Sequence, residues 1–117
     1  MAHQNTLAAK TVSDYVSTPE IDKLTQQFGA HLERMTAQAK CLMAAALLDH
    51  MAAENCSYYT IENSLESVDP DCILGHKLSN LVVKIANASD ARELNDLVLA
   101  IVALHSDDIR NGAYDNE

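Results

Sequence analysis

Residues 18–55 decide the fold, and they read TPEIDKLTQQFGAHLERMTAQAKCLMAAALLDHMAAEN. Thr18 and Pro19 form a helix start signal, because the threonine side chain can accept a hydrogen bond from a backbone amide and proline fixes φ at the first helical position. Apolar residues then recur every three or four positions, the spacing that places them on one helical face. They are Ile21, Leu24, Phe28, Leu32, Met35, Ala39, Leu42, Ala46 and Leu47. The pattern predicts one long helix over about 18–54.

A continuous helix of this length is too long for a compact domain of this size. With a rise of 1.5 Å per residue it would span about 54 Å. Either the helix breaks near Gly29, which costs about 1 kcal/mol relative to alanine inside a helix, or one end projects and a second copy of the chain covers it. Because the apolar stripe continues across Gly29, we expect projection, and with it a homodimer.

Shorter helical patterns follow the long one. Apolar residues at helical spacing begin at Tyr58, and the pair Asp69–Pro70 repeats the start signal seen at Thr18–Pro19. Two similar segments, LSNLVVKI (78–85) and LNDLVLAI (94–101), are separated by a short connection and predict an antiparallel C-terminal helical hairpin. The sequence therefore predicts an all-α fold: a bundle of four to five helices built around the long helix. We expect the chain to form a single domain over 1–117, with disordered ends at 1–5 and 113–117.

Composition indicates how such a bundle is stabilised. Of the 117 residues, 48% are hydrophobic, which is enough to build a core without a metal or a disulfide. Cys41, Cys56 and Cys72 are odd in number and irregular in spacing, and no secretion signal precedes them, so we expect reduced thiols and a cytoplasmic location. A bridge between Cys56 and Cys72 stays open for an oxidising environment. No apolar run reaches the roughly 20 residues that a membrane span needs.

The net charge of −9 limits the partners of the protein. Binding to a nucleic-acid backbone requires lysines and arginines that replace counterions, so direct nucleic-acid binding is not expected. A basic protein partner, such as a nucleic-acid-binding protein, is compatible with this charge.

No motif in the sequence indicates an enzyme or a cofactor. The three glycines are too scattered to form a phosphate-binding loop. His50 and Glu54 lie four positions apart on one helical face, as do Cys72 and His76, and such pairs can contribute ligands to a metal site. The Glu-x-x-His signature of di-iron bundles is absent. We therefore expect no catalytic residue, no cofactor and no metal, with these four residues as the ligands if a metal were bound.

The expected function is protein interaction. The size, the acidity and the lack of a catalytic motif are typical of phage and plasmid accessory proteins that inhibit a target, such as antitoxins, immunity proteins and anti-defence proteins. The alternative is a regulatory or adaptor homodimer without an inhibitory target, and the second alternative is a metal-binding helical bundle. Partner contacts are expected on the tyrosine-containing segment and the acidic last helix, at Tyr58, Tyr59, Glu62, Glu66, Glu93, Asp96, Asp107 and Asp108.

Overall fold

The computed structural model describes residues 10–115, and this part of the chain folds into six helices without any strand. In chain order the helices are α1 (Val12–Tyr15), α2 (Pro19–Phe28), α3 (Ala37–Ala52), α4 (Ile61–Val68), α5 (Gly75–Ala88) and α6 (Ala91–Arg110). The predicted fold class, an all-α small helical bundle, is confirmed. None of these six helices is both long enough and apolar enough to span a bilayer.

The predicted long helix over 18–54 is wrong, because the structure divides it into α2 and α3. Gly29 has φ +99° and ψ 155°, which no helix contains, and its amide closes α2 by donating to the Thr25 carbonyl. The side chain of Thr36 then caps α3 by accepting a hydrogen bond from the Ala39 amide. Six helices therefore replace the expected four to five, and neither half of the stretch has to project from the domain.

The connection between α2 and α3 still belongs to the core. Leu32 and Met35 are buried, although Leu32 has a positive φ of 51° and lies outside any helix. Arg34 fixes the end of α2, since its guanidinium donates to the carbonyls of Gln26 and Gln27 at 3.2 and 3.1 Å. A cation at a helix C-terminus also interacts favourably with the helix dipole. The apolar spacing thus continues through a segment that is not helical.

The helix start predicted at Asp69–Pro70 is wrong. Asp69 does not begin a helix at Pro70; its carboxylate accepts hydrogen bonds from the Ile73 and Leu74 amides, and α5 starts at Gly75. At the start of α6 the cap is Asp90, whose side chain accepts from the Glu93 amide while Glu93 accepts from the Asp90 amide. Both loops are therefore organised by a carboxylate that satisfies backbone amides.

One hydrophobic cluster joins the helices. Helix α3 is central and packs mainly against α6 and α4, while α1 packs against α6, α2 against α5, and α4 against α5. The predicted antiparallel hairpin of the two C-terminal helices is wrong: α5 and α6 follow each other after a short turn, but α5 packs against α2 and α4, and α6 packs against α3 and α1.

The sequence predicts disorder at both chain ends, over 1–5 and 113–117. The N-terminal segment 1–5 and the last two residues lie outside the described part. Residues 113–115 form turns after α6, and the Tyr114 hydroxyl lies 2.9 Å from His105 Nε2.

Candidate functional site

The eight predicted contact residues have different environments in the folded chain. Three of the acidic ones interact within the protein. Asp107 forms an ion pair with Arg110, Asp108 forms one with Lys40, and the Glu93 carboxylate completes the cap of α6. Asp96 is half-buried. The acidic surface predicted on the last helix is therefore smaller than the sequence suggests.

The Lys40–Asp108 pair connects the two helices at the centre of the bundle. Lys40 Nζ lies 2.5 Å from Asp108 Oδ2, and the lysine side chain is only 3% exposed, while that of the aspartate is 28% exposed. Lys40 lies outside the apolar stripe of the sequence, at a position where a lysine is normally exposed to solvent. Its burial follows from α6 covering this side of α3, which the sequence pattern did not indicate.

The two adjacent tyrosines have different roles. Tyr59 donates a hydrogen bond of 2.8 Å to the carboxylate of Asp49. This bond stabilises the ionised carboxylate and the protonated phenol, so it lowers the pKa of Asp49 and raises the pKa of Tyr59. The Ser64 hydroxyl beside the pair also lowers the pKa of Asp49, although Ser64 Oγ is buried without a hydrogen bond of normal geometry. Tyr58, in contrast, is 81% exposed and available to a partner.

Glu62 and Glu66 are the predicted contact residues with the clearest binding geometry. Both are exposed and lie four positions apart on α4, so they occupy one face of that helix. They line a cavity of about 290 Å³ between α4 and α5. We call this cavity the acidic groove; its lining includes Glu62, Leu65, Glu66, Cys72, His76 and Val83.

The four residues considered as metal ligands are not brought together. Cys72 and His76 line the acidic groove, whereas His50 and Glu54 line a different cavity near the end of α3. In residues 10–115 no group of three or more histidine, cysteine, aspartate or glutamate side chains could hold a metal ion. Cys56 and Cys72 likewise line these two different cavities and form no disulfide. All three cysteines are free thiols.

Helices α3 and α6 jointly form an apolar surface that the sequence pattern does not predict. Leu48 and Val102 are 49% and 46% exposed and line a cavity of about 220 Å³ together with Cys41 and Ala45. Leu99, on the same helix as Val102, is also half exposed. We call these five residues the apolar face. A signal was present in the sequence, because α6 carries large apolar residues at positions 99 and 102 in addition to those of its core-facing side.

Comparison with known proteins adds no relative: no protein-family model, curated protein or solved structure matches this chain. The geometry of the acidic groove and of the apolar face is therefore the basis for proposing a function.

Proposed function

We propose that the protein is a protein-interaction module that binds a basic segment of a partner protein in the acidic groove. The observation that carries this proposal is the position of Glu62 and Glu66, which are exposed and line the same cavity on one face of α4. Neither carboxylate forms an ion pair within residues 10–115, unlike Asp107 and Asp108.

The groove suits a lysine or arginine side chain. Leu65 and Val83 provide apolar surface for the aliphatic stem of such a side chain, and the two carboxylates can bind its charged end. The net charge of −9 would attract a basic protein over a longer range and increase its association rate. Tyr58, exposed just before α4, would add the aromatic contact that is enriched in protein interfaces.

Inhibition is the biological role that we propose for this interaction. An acidic protein that occupies the basic surface of a nucleic-acid-binding partner would block that surface by charge complementarity, as an antitoxin, immunity or anti-defence protein does. We place this activity in the cytoplasm, where three free cysteines remain reduced. Neither an enzymatic reaction nor a cofactor is part of the proposal.

Removal of both groove charges is expected to weaken partner binding about tenfold, which corresponds to about 1.4 kcal/mol. The variant is Glu62→Gln/Glu66→Gln, which keeps side-chain size and leaves the helix intact. Quantitative affinity capture from a cell lysate, followed by mass spectrometry, would identify a basic protein retained by the unmodified chain. Its recovery should fall with the variant and with rising salt concentration.

A control with the same change in net charge separates the groove from general electrostatics. Glu20→Gln/Asp115→Asn removes two carboxylates that do not line the groove. We expect this control to retain the partner. Equal recovery with the groove variant and the control would argue against the acidic groove as the binding site.

The apolar face supports a second candidate function, a regulatory or adaptor homodimer. Helix α3 is apolar on nearly all sides, and such helices are normally buried all round, yet Leu48 remains half exposed. A two-fold contact between two copies of the apolar face would bury this surface. The metal-binding bundle, in contrast, is not supported by any grouping of ligands within residues 10–115.

Light scattering tests the homodimer directly. We expect the unmodified protein to have twice the 12.8 kDa mass of one chain. Val102→Glu should convert it to the monomer, because each dimer interface would then contain two buried carboxylates. Ile73→Glu, the same type of change at another half-exposed residue outside the apolar face, should leave the mass unchanged. A monomeric unmodified protein at every concentration would contradict this candidate.

A further inference from the structure

The cavity that His50 and Glu54 line has a volume of about 310 Å³ and lies where the end of α3 and the start of α6 meet the loops before α4 and after α5. Two of its lining residues, His50 and Ser89, each carry a buried polar atom without a hydrogen-bond partner: His50 Nδ1 and Ser89 Oγ. Only one other such side-chain atom, Ser64 Oγ, occurs in residues 10–115. Folded proteins leave few buried polar atoms unpaired, so two such atoms on residues that line one cavity point to a ligand that pairs with them.

The charges around this cavity favour a cation. Glu54 lines it, and the described lining contains no lysine or arginine. Helix α5 ends here: Ser89 is extended, with φ −112° and ψ 147°, and no backbone amide in the described chain caps the end of the helix. The C-terminal end of a helix carries partial negative charge. At the start of α6 the opposite, positive end is already offset by the carboxylates of Asp90 and Glu93.

The side chains that line the cavity argue against two other classes of ligand, anions and transition metals. An anion would meet Glu54 without a compensating basic residue. A transition metal would lack ligands, because no group of three suitable side chains exists in the described chain. A donor-rich organic cation fits best, since neutral imidazole nitrogen, hydroxyl oxygen and carboxylate all accept hydrogen bonds.

We propose that this cavity binds an alkylammonium group, with His50 Nδ1, Ser89 Oγ and Glu54 as hydrogen-bond acceptors. The three N–H donors of an ammonium match these three acceptors in number. Tyr59 also lines the cavity, and an aromatic residue there can interact with the cation or its alkyl chain. His50 Nδ1 and Ser89 Oγ are both inaccessible to solvent in the free protein, so binding includes a rotamer change of the serine or the imidazole. Such changes are fast for side chains near the surface.

Two sources can supply this group: a free diamine or polyamine, and a lysine side chain of a peptide. Titrations with cadaverine and with Nα-acetyl-lysine N-methylamide, monitored by ¹⁵N–¹H NMR, distinguish them. We expect saturable shifts in the amides that surround the cavity with at least one of the two probes. Glutarate, a dianion of the same chain length as cadaverine, should cause none.

Two variants test the named residues. Glu54→Gln and Ser89→Ala should each weaken the affinity for the bound amine about tenfold, the loss of one good contact. Ser89→Ala should also raise the Tm of the free protein by about 4 °C, because it removes a buried hydroxyl that has no partner. Ser13→Ala, an exposed serine on α1, should change neither quantity.

Several results would overturn the proposal. They are the absence of saturable shifts with both amines, equal binding of glutarate, and amine affinity that is unchanged in both Glu54→Gln and Ser89→Ala. The acidic groove is formed by other residues, so these results are independent of the partner-binding experiment.

Discussion

Asp108→Ala is expected to lower the free energy of unfolding by about 3 kcal/mol, because it leaves the buried ammonium of Lys40 without its counter-charge. The side chain of Lys40 is only 3% exposed, so the ammonium has lost most of its hydration in the folded chain and depends on this carboxylate for its counter-charge. Urea denaturation monitored by circular dichroism measures this loss. The helical content of the folded protein should stay the same, since the ion pair joins two helices and does not form part of either one.

The adjacent residue provides a matched control for this prediction. Asp107 is only 14% exposed, but its partner Arg110 is 70% exposed and keeps its charge in water, and ion pairs with such an exposed partner contribute at most about 1 kcal/mol. Asp107→Ala should therefore be close to neutral. Lys40→Met should also cost little, because it removes the buried charge and leaves Asp108 at a position where water reaches it. If the two aspartate variants were equally stable, the Lys40–Asp108 pair would not hold the helices together.

This ion pair also changes how partner binding should be tested. Charge reversal at Asp107 and Asp108, which the sequence alone suggests as a binding test, would disturb contacts within the protein. Any loss of binding could then result from a damaged fold. Glu62 and Glu66 do not carry this ambiguity, because they are exposed and lie outside the ion pairs of the described chain.

Gly29→Ala is expected to destabilise the protein by about 3 kcal/mol, since residues with a side chain rarely adopt its backbone conformation. Gly29 has φ +99° and ψ 155°, and a Cβ atom built on it would overlap the Glu33 carboxylate. The Glu33 carboxylate is held there by the amide of His31 at 2.9 Å. Hydrogen bonds from the backbone amides of Glu33 and His31 also lower the pKa of this carboxyl group.

The sign of the Gly29→Ala effect distinguishes two structures of this region. If residues 18–54 formed one continuous helix, alanine at position 29 would stabilise the protein by about 1 kcal/mol. Thermal or urea denaturation gives the sign directly. Gly75→Ala is the control for backbone conformation alone, because φ is +80° there but a Cβ atom would meet nothing within 4 Å, so a cost of about 1 kcal/mol is expected. Glu33→Ala should recover part of the loss in the double variant.

The apolar spacing of the sequence was informative about burial but not about backbone conformation. Leu32 and Met35 were assigned to the buried stripe, and they are buried. They reach the core from a non-helical connection, because the pattern records which side chains avoid water and not which path the backbone follows. Gly29 was the feature of the sequence that indicated a break. Its non-helical conformation goes together with a contact from the Glu33 carboxylate, and a single sequence does not show this contact.

The sequence correctly predicted those candidate contact residues whose exposure to solvent follows from their position on one helix. Tyr58, Glu62 and Glu66 lie on or beside a short amphipathic helix, and the solvent-facing positions of such a helix follow from its spacing. Asp108 could not be judged in this way, because its partner Lys40 is 68 positions away in the chain. Pairing across such a distance depends on which helices become neighbours.

The amino-acid sequence by itself determined the all-α class, the buried apolar residues and the excess of negative charge, because these follow from local spacing and composition. The tertiary structure decided where the long segment breaks, which carboxylates are paired, and which side chains line the acidic groove, the apolar face and the cavity at His50 and Ser89. The physical reason is that helix formation is governed by contacts between near neighbours in the chain, whereas ion pairs and cavities form between helices that meet only after folding.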